Sequence, residues 1–252
     1  MAKHAVKRKG ASKMSALAPE ILEQLEAGRL EIATLTEGLA IRMDVLMRAV
    51  APSIPLDQFD NNAGVVARMA NAGMLFRNHL SADALHEMVR HPSDTVRGWA
   101  AFAIGQDINI SGQDRIAAMR PFAADTHFGV REWAWMAVRA IMVTDTEMAI
   151  NALAPWALDA DPNIRRFASE ATRPRGVWAA SIPLLRASPE LGLSILSPLR
   201  FDPTRYVEDS VANWLNDAGK DKPEWLVALL HQWSTEGVGA RLISRAGRSI
   251  KA

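Results

Sequence analysis

The stretch from Ile164 to Trp178, IRRFASEATRPRGVW, concentrates residue types that can do chemistry on nucleic acid. Guanidinium groups suit phosphate oxygens, an indole suits the face of a base or sugar, and a carboxylate suits a developing cation. Arg166, Arg173 and Arg175 supply the first, Trp178 the second and Glu170 the third. The spacing predicts how they are held. Ile164, Phe167, Ala168 and Ala171 recur at i, i+3, i+4 and i+7, the apolar side of a helix, with Arg166, Glu170 and Arg173 on the other flank. Arg173-Pro174-Arg175-Gly176 then stops the helix, because proline lacks an amide hydrogen and glycine frees the backbone. A carboxylate, several guanidiniums and an indole are thereby gathered at one helix end.

The elements around this stretch repeat. Val96-Arg97-Gly98-Trp99-Ala100 is followed about 34 residues later by Val130-Arg131-Glu132-Trp133-Ala134, and after the same interval by Ile164-Arg165-Arg166-Phe167-Ala168. A looser fourth copy starts at Val207. Asp125, Asp159 and Asp202 precede three of these anchors by about five residues and are expected to cap the second helix of a hairpin. Such a period predicts an all-α solenoid of HEAT-like helical hairpins. The interval from the third anchor to the fourth is longer by about nine residues, placed in the loop from Arg173 to Trp178. In a solenoid such an insertion often lies on the binding face; arginines bonded to backbone carbonyls are the structural alternative.

The register predicts one exposed stripe down the second helices: Gly98, Phe102 and Gln106; Glu132, Met136 and Ala140; Arg166, Glu170 and Pro174; Asp209, Asn213 and Asp217. Three carboxylates, Glu132, Glu170 and Asp217, could therefore approach a common point. Arg166 and Glu170 are equally an ordinary i, i+4 surface pair, and spacing alone does not separate the two readings. Trp133 falls at a core position of its repeat, while Trp135 is not placed by the phase.

N-terminal to the repeats, Ser15 to Ala27, Glu31 to Val50, Ala63 to Leu80 and Ser81 to Arg90 read as helices, with Ser81 an N-cap. With 252 residues, 49% of them hydrophobic, the chain can bury a core; with no cysteine it has neither disulfides nor a thiolate metal site. Its six histidines show no paired ligand spacing, so no metal is expected. Neither a signal peptide nor a membrane-spanning run is apparent, so a soluble cytoplasmic protein is expected. The net charge of +1 hides clusters of Lys3, Lys7, Arg8, Lys9 and Lys13 at the front and Arg241, Arg245, Arg248 and Lys251 at the back. These ends, 1–14 and 238–252, read as basic tails flanking a single solenoid over 15–237. They serve either as salt-sensitive DNA contacts or as solubilising segments.

Two segments, FASEATRPRGVW and, about 45 positions on, YVEDSVANWLNDAGKDKP, resemble the HEAT-like-repeat DNA glycosylases of the AlkC and AlkD type, more closely the AlkC branch. Members of that branch show an ASEGTRPR segment ending in tryptophan and a SVANHLND segment followed by Lys-Asp and proline. The resemblance covers about residues 90 to 235. It implies a concave DNA-binding face and hydrolytic excision of cationic N-alkylated bases of the 3-methyladenine, 7-methylguanine or 3-methylcytosine type. The implied partner is double-stranded DNA carrying such bases, bound by a monomer associated with the nucleoid. Neither cofactor nor metal is implied.

Residue by residue, Glu132, Glu170 and Asp217 look like the three acidic residues of that active site, and Trp178 looks like its aromatic wall. Arg166 is similar to an arginine on the DNA backbone near the lesion; Arg173, Arg175, Asn213 and Lys220 are expected as further DNA contacts. Departures are also present. Glu208 and Asp209 stand where relatives carry a basic residue, and Trp214 replaces a polar one. No extra C-terminal β-domain is expected, so DNA grip would come from the basic ends. A base alkylated at N3 or N7 already leaves well, so the tasks remaining are to stabilise an oxocarbenium-like sugar and direct water to it. No lysine is expected within the acidic group, hence no lyase step. A catalytically silent DNA-binding solenoid and a HEAT-type protein scaffold are the competing readings.

Overall fold

The computed structural model describes residues 8–176 and 178–250. These form seventeen α-helices and short 3-10 turns, with no strand among the described residues, as the period predicted. Contacts divide them into two compact units. One holds the described residues up to Ile104 together with His127–Val130; the other holds Gly105–Thr126 and the described residues from Arg131 onward.

The first unit contains α1 (Pro19–Glu26), α2 (Leu35–Ala40), α3 (Met43–Val50), α4 (Val65–His79), α5 (Ala82–Met88) and all but the last residue of α6 (Asp94–Gly105). Ser81 caps α5 as expected, its hydroxyl accepting from the Ala84 amide. The single helix expected over Glu31 to Val50 is instead two. Buried Glu26 accepts from the Arg42 amide at 3.0 Å and from its guanidinium at 2.6 and 2.8 Å, which holds the chain extended between α2 and α3.

Arg8, expected in a free tail, is docked: its guanidinium donates twice to Glu37, which also accepts from the amides of Ala11 and Ala33. Lys3 and Lys7 lie outside the described residues. The Arg8 hydrogen bonds, opposed by burial and helped by the two amides, hold Glu37 at about 2. A carboxylate depressed in the folded state stabilises fully above its unfolded value near 4.5 and loses that contribution as pH falls toward 2. Glu37→Gln is expected to cost about 2 kcal/mol at neutral pH. Melting curves of the variant and the wild type should converge as pH drops through that window; a pH-independent gap would refute the assignment.

The second unit carries α7 (Gly112–Ala118), α8 (Arg120–Ala123), most of α9 (Phe128–Ala137), α10 (Arg139–Thr144), α11 (Thr146–Leu153), α12 (Pro162–Ala171), α13 (Pro183–Ala187), α14 (Leu193–Leu199), α15 (Arg205–Gly219), α16 (Pro223–Thr235) and α17 (Ala240–Ala246). The anchors Val96, Val130, Ile164 and Val207 are buried in α6, α9, α12 and α15, so the register read from the sequence holds. The arginine after each of the first three anchors has a structural task. Arg97 donates to the carbonyls of His91 and Pro92, Arg131 to those of Asp125 and Thr126, and Arg165 to those of Asp159 and Ala160. Each guanidinium thus satisfies the turn entering its own helix.

Asp159 and Asp202 are not the helix caps expected of them. They accept from the amides of Asp161 and Thr204 two residues on, and pair with Arg120 and Arg165; Asp161 caps α12 through the Asn163 amide. The surplus residues fall where expected, since α12 ends at Ala171 and α13 begins only at Pro183. At the C-terminal end, the stretch expected as a tail from 238 contains α17, which packs on α15 with Leu242 and Ala246 buried. Asn216 of α15 donates to the Ala246 carbonyl. Apolar side chains in that basic stretch give it a face to bury, which charge counting overlooks. Lys251 lies outside the described residues.

Candidate active site

Three second helices, α9, α12 and α15, each bring one of the expected carboxylates into a single chain of alternating charge within the second unit. Arg166 pairs with Glu132 at 2.7 Å and with Glu170 at 3.4 Å. Arg173 pairs with Glu170 at 2.7 Å and with Asp217 at 2.6 Å. Lys220 closes the chain on Asp217 at 2.9 Å. Because α12 packs against α15, residues one turn apart on α12 and facing residues on α15 meet across the groove between them.

The stripe expected to be exposed is instead largely covered: Phe102, Met136, Glu170 and Asp217 are all buried. Glu170 retains 5% exposure and Asp217 3%. Two hydroxyls complete the shell, Ser169 donating to Ser210 and Ser210 to Glu170, each at 2.7 Å. Burial opposes ionisation of Glu170, but Arg166, Arg173 and the Ser210 hydrogen bond outweigh it and hold the carboxyl below its usual range. Burial likewise opposes the charge on Arg166 and Arg173, and the facing carboxylates overcome it, raising both. Glu132 is the most open of the three, accepting from the Trp135 indole at 2.8 Å.

Several residues stand elsewhere than expected. Arg166 and Arg173 are engaged by carboxylates rather than open to phosphate, because a buried guanidinium must have its donors taken up and the facing acceptors here are Glu132, Glu170 and Asp217. Arg166 also lies over the Tyr206 ring at 4.4 Å, whose other cationic neighbour, Arg131, is 5.2 Å away. Arg175 joins Arg186 on Asp221, and these two guanidiniums, Arg186 foremost, hold that carboxyl at about 2. Lys220 corrects the expectation that no lysine enters the acidic group. Asn213 uses its side-chain oxygen to accept from Arg245 and Arg248. Trp133, expected in the core, is only half-buried, whereas Trp135, which the phase did not place, is buried.

Trp178 stands 50% exposed on the inserted loop with φ +61°, a left-handed backbone unusual for a bulky residue. Among the described residues, no hydrogen bond links it to the carboxylate chain. Trp214 has a structural explanation: its indole donates to Thr172 at 3.2 Å and lies so close to Gly192 that any Cβ there would sit 2.4 Å from the ring.

Sequence reasoning missed Arg139. This buried guanidinium donates to three backbone carbonyls, Ala171 at 2.8 Å, Arg173 at 2.8 Å and Ala180 at 2.7 Å, tying the end of α12 to the inserted loop. The Ile182 amide closes the same loop on the Pro174 carbonyl. Burial first, then the neighbouring Arg173, lowers Arg139 to about 10, which still leaves a cation at neutral pH. The available signal was one charge inside the otherwise apolar run Ala137-Val138-Arg139-Ala140-Ile141-Met142. Among the described residues no group of three or more His, Asp and Glu side chains is arranged to hold a metal ion. None of their helices is long and apolar enough to cross a membrane.

Comparison with known proteins places this geometry in a known architecture. The family model for HEAT repeats matches residues 82–172. The uncharacterized protein YhaZ of Bacillus subtilis (strain 168) is 38% identical over 121 residues, which span 48% of this chain and 32% of that relative. Among solved structures, Pseudomonas fluorescens alkylpurine DNA glycosylase AlkC, bound to DNA containing an abasic site analog, superposes with a TM-score of 0.63 at 24% identity. That match covers 96% of this chain and 65% of AlkC. AlkD2 from Streptococcus mutans superposes with the same TM-score at 20% identity over 81% of this chain and 99% of its own. The chain is thus an all-α stack of HEAT-like repeats sharing its fold with AlkC and AlkD2, and it spans less than two thirds of the AlkC and YhaZ chains.

Proposed function

We propose that the protein is a DNA glycosylase of the AlkC type that hydrolyses the N-glycosidic bond of cationic alkylated bases in double-stranded DNA, without a metal or other cofactor. The observation that carries this reading is the chain Glu132–Arg166–Glu170–Arg173–Asp217, which holds three carboxylates on three successive second helices of an AlkC-like fold. Negative charge held rigidly on one groove suits a sugar that becomes positive as its base departs. The base leaves with the electrons of the C1′–N bond and is neutralised by them, so no general acid is needed. Glu170, held below its usual range, is ionised at neutral pH and cannot serve as that acid. Its role is electrostatic, and Asp217 is suited to accept a proton from the water that attacks C1′, with Glu132 in support. Trp178, exposed on the loop beside this groove's helix end, would lie on the sugar or cationic base, worth about 0.5 to 2 kcal/mol.

Incubating the purified protein with methylated duplex DNA and separating released bases chromatographically tests the reading. Free 3-methyladenine, 7-methylguanine or 3-methylcytosine is the expected product, with the DNA backbone intact. Borohydride added during the reaction should trap no protein–DNA adduct, since the Lys220 ammonium is engaged by Asp217. No release of any base would leave the second reading, a catalytically silent DNA-binding solenoid. That reading is favoured by the engagement of Glu170 and Asp217 by one arginine, Arg173.

A further inference from the structure

The short last helix, α17, carries cations to the edge of the carboxylate chain. Arg241 pairs with both Glu208 at 2.7 Å and Asp209, and Arg245 pairs with Asp209 at 3.2 Å. Glu208 and Asp209, where the resemblance expects a base, are therefore neutralised from the neighbouring helix. Arg248 differs from its neighbours. It donates to the Asn213 oxygen at 3.0 Å and to the Arg245 carbonyl at 2.6 Å, and among the described residues no carboxylate forms an ion pair with it. Of the three guanidiniums beside Glu208 and Asp209, Arg248 is the one outside their ion pairs, and Asp217 attracts it only from beyond ion-pair distance.

We propose that Arg248, held by Asn213 and flanked by Arg245, binds a backbone phosphodiester of DNA beside the carboxylate chain. The geometry favours an anion there for three reasons. The Asn213 amide oxygen fixes both Arg245 and Arg248, so their guanidiniums are ordered before a ligand arrives. Asn213 lies one turn from Asp217 on α15, so the phosphate would flank the nucleotide presented to the carboxylates. Burial first, then repulsion from Arg245, opposed by Asp217 and joined by Arg173, lowers Arg248, a penalty that an approaching phosphate relieves. Planar guanidiniums pair with phosphate oxygens in bidentate fashion, and each neutralised phosphate releases counterions. This contact would supply a cation to DNA next to the reacting sugar, where Arg166 and Arg173 are already engaged by carboxylates. The proposal rests on the proposed function for its ligand, double-stranded DNA.

The test is the salt dependence of binding to duplex DNA containing an abasic-site analogue, with the full chain and its Arg248→Gln, Arg248→Lys and Arg200→Gln variants. Arg200, paired with Glu236 and not with the residues around Arg248, controls for net charge. Arg248→Gln should reduce the slope of log K against log salt by about 0.9 and weaken binding about tenfold at low salt, while Arg248→Lys keeps most of the slope. An unchanged slope in Arg248→Gln, or the same loss in Arg200→Gln, overturns the proposal. Base release from methylated DNA, measured in parallel, separates the two failures. Wild-type release with an unaltered Arg248→Gln slope refutes only the phosphate site, whereas a reduced slope without any base release keeps the site and refutes the enzyme.

Discussion

Replacing Glu170 by Gln and Asp217 by Asn together is expected to lower single-turnover base release by more than about 100-fold while leaving DNA affinity equal or higher. The reason is that the charges stabilise the sugar only as it becomes positive, whereas in the ground state they keep Arg166, Arg173 and Lys220 from pairing with phosphate. Both carboxylates are buried and paired with Arg173, so removing them also leaves guanidiniums uncompensated, at a cost of about 3 to 5 kcal/mol. Kinetics must therefore be compared with thermal unfolding. Leu199→Ala, which empties part of the core in α14, is the matched control: it should destabilise by about 2 to 5 kcal/mol yet release base normally below its melting temperature. Wild-type release by a folded double variant would remove these residues from the mechanism.

The same site predicts a pH profile. Glu170 is held below its usual range, so its charge and its contribution to stability are complete above about pH 5 and are lost only as pH falls through its lowered value. The Glu170 share of base release, read as the ratio of wild-type to Glu170→Gln rates across pH, should therefore persist on the acid side until pH drops below the ordinary carboxylate range.

Arg139→Met should lower the melting temperature by about 10 °C. It strips a buried cation from three carbonyl acceptors at once, and unsatisfied buried groups cost about 1 to 3 kcal/mol each. Amides of residues 172–176 and 178–182 should exchange with solvent faster, because the Arg139 bonds and the Ile182 to Pro174 bond are the backbone ties of that loop, added to the side-chain pairs of Arg173 and Arg175. Base release should fall with it, since the end of α12 carries Arg173 and the loop carries Trp178. Arg139→Lys, which keeps the charge but not the forked donors, should lie between the two. Unchanged exchange across the loop in Arg139→Met would show that the guanidinium does not hold it.

Local pattern alone was enough to read the all-α repeat, the anchors Val96, Val130, Ile164 and Val207, a helix stop at Arg173-Pro174-Arg175-Gly176, two residues beyond the observed end at Ala171, and the length of the insertion. Each depends on apolar spacing and on proline and glycine, which act locally. The carboxylates Glu132, Glu170 and Asp217 were also legible, because a fixed register puts recurrent positions on one stripe. What the register could not decide was which stripe positions a neighbouring helix would cover. Packing of α12 on α15 buries Glu170 and Asp217, and desolvation then forces Arg166, Arg173 and Lys220 to turn toward them rather than toward solvent. Similarly, charge counting marked the two ends as tails, whereas Arg8 found Glu37 and α17 found α15, partners distant in sequence. The three carbonyls bound by Arg139 come together only when the loop closes on α12. Spacing thus determines which residues share a helix face, while the meeting of separate helices decides which charges are buried, and burial decides what each charge must pair with.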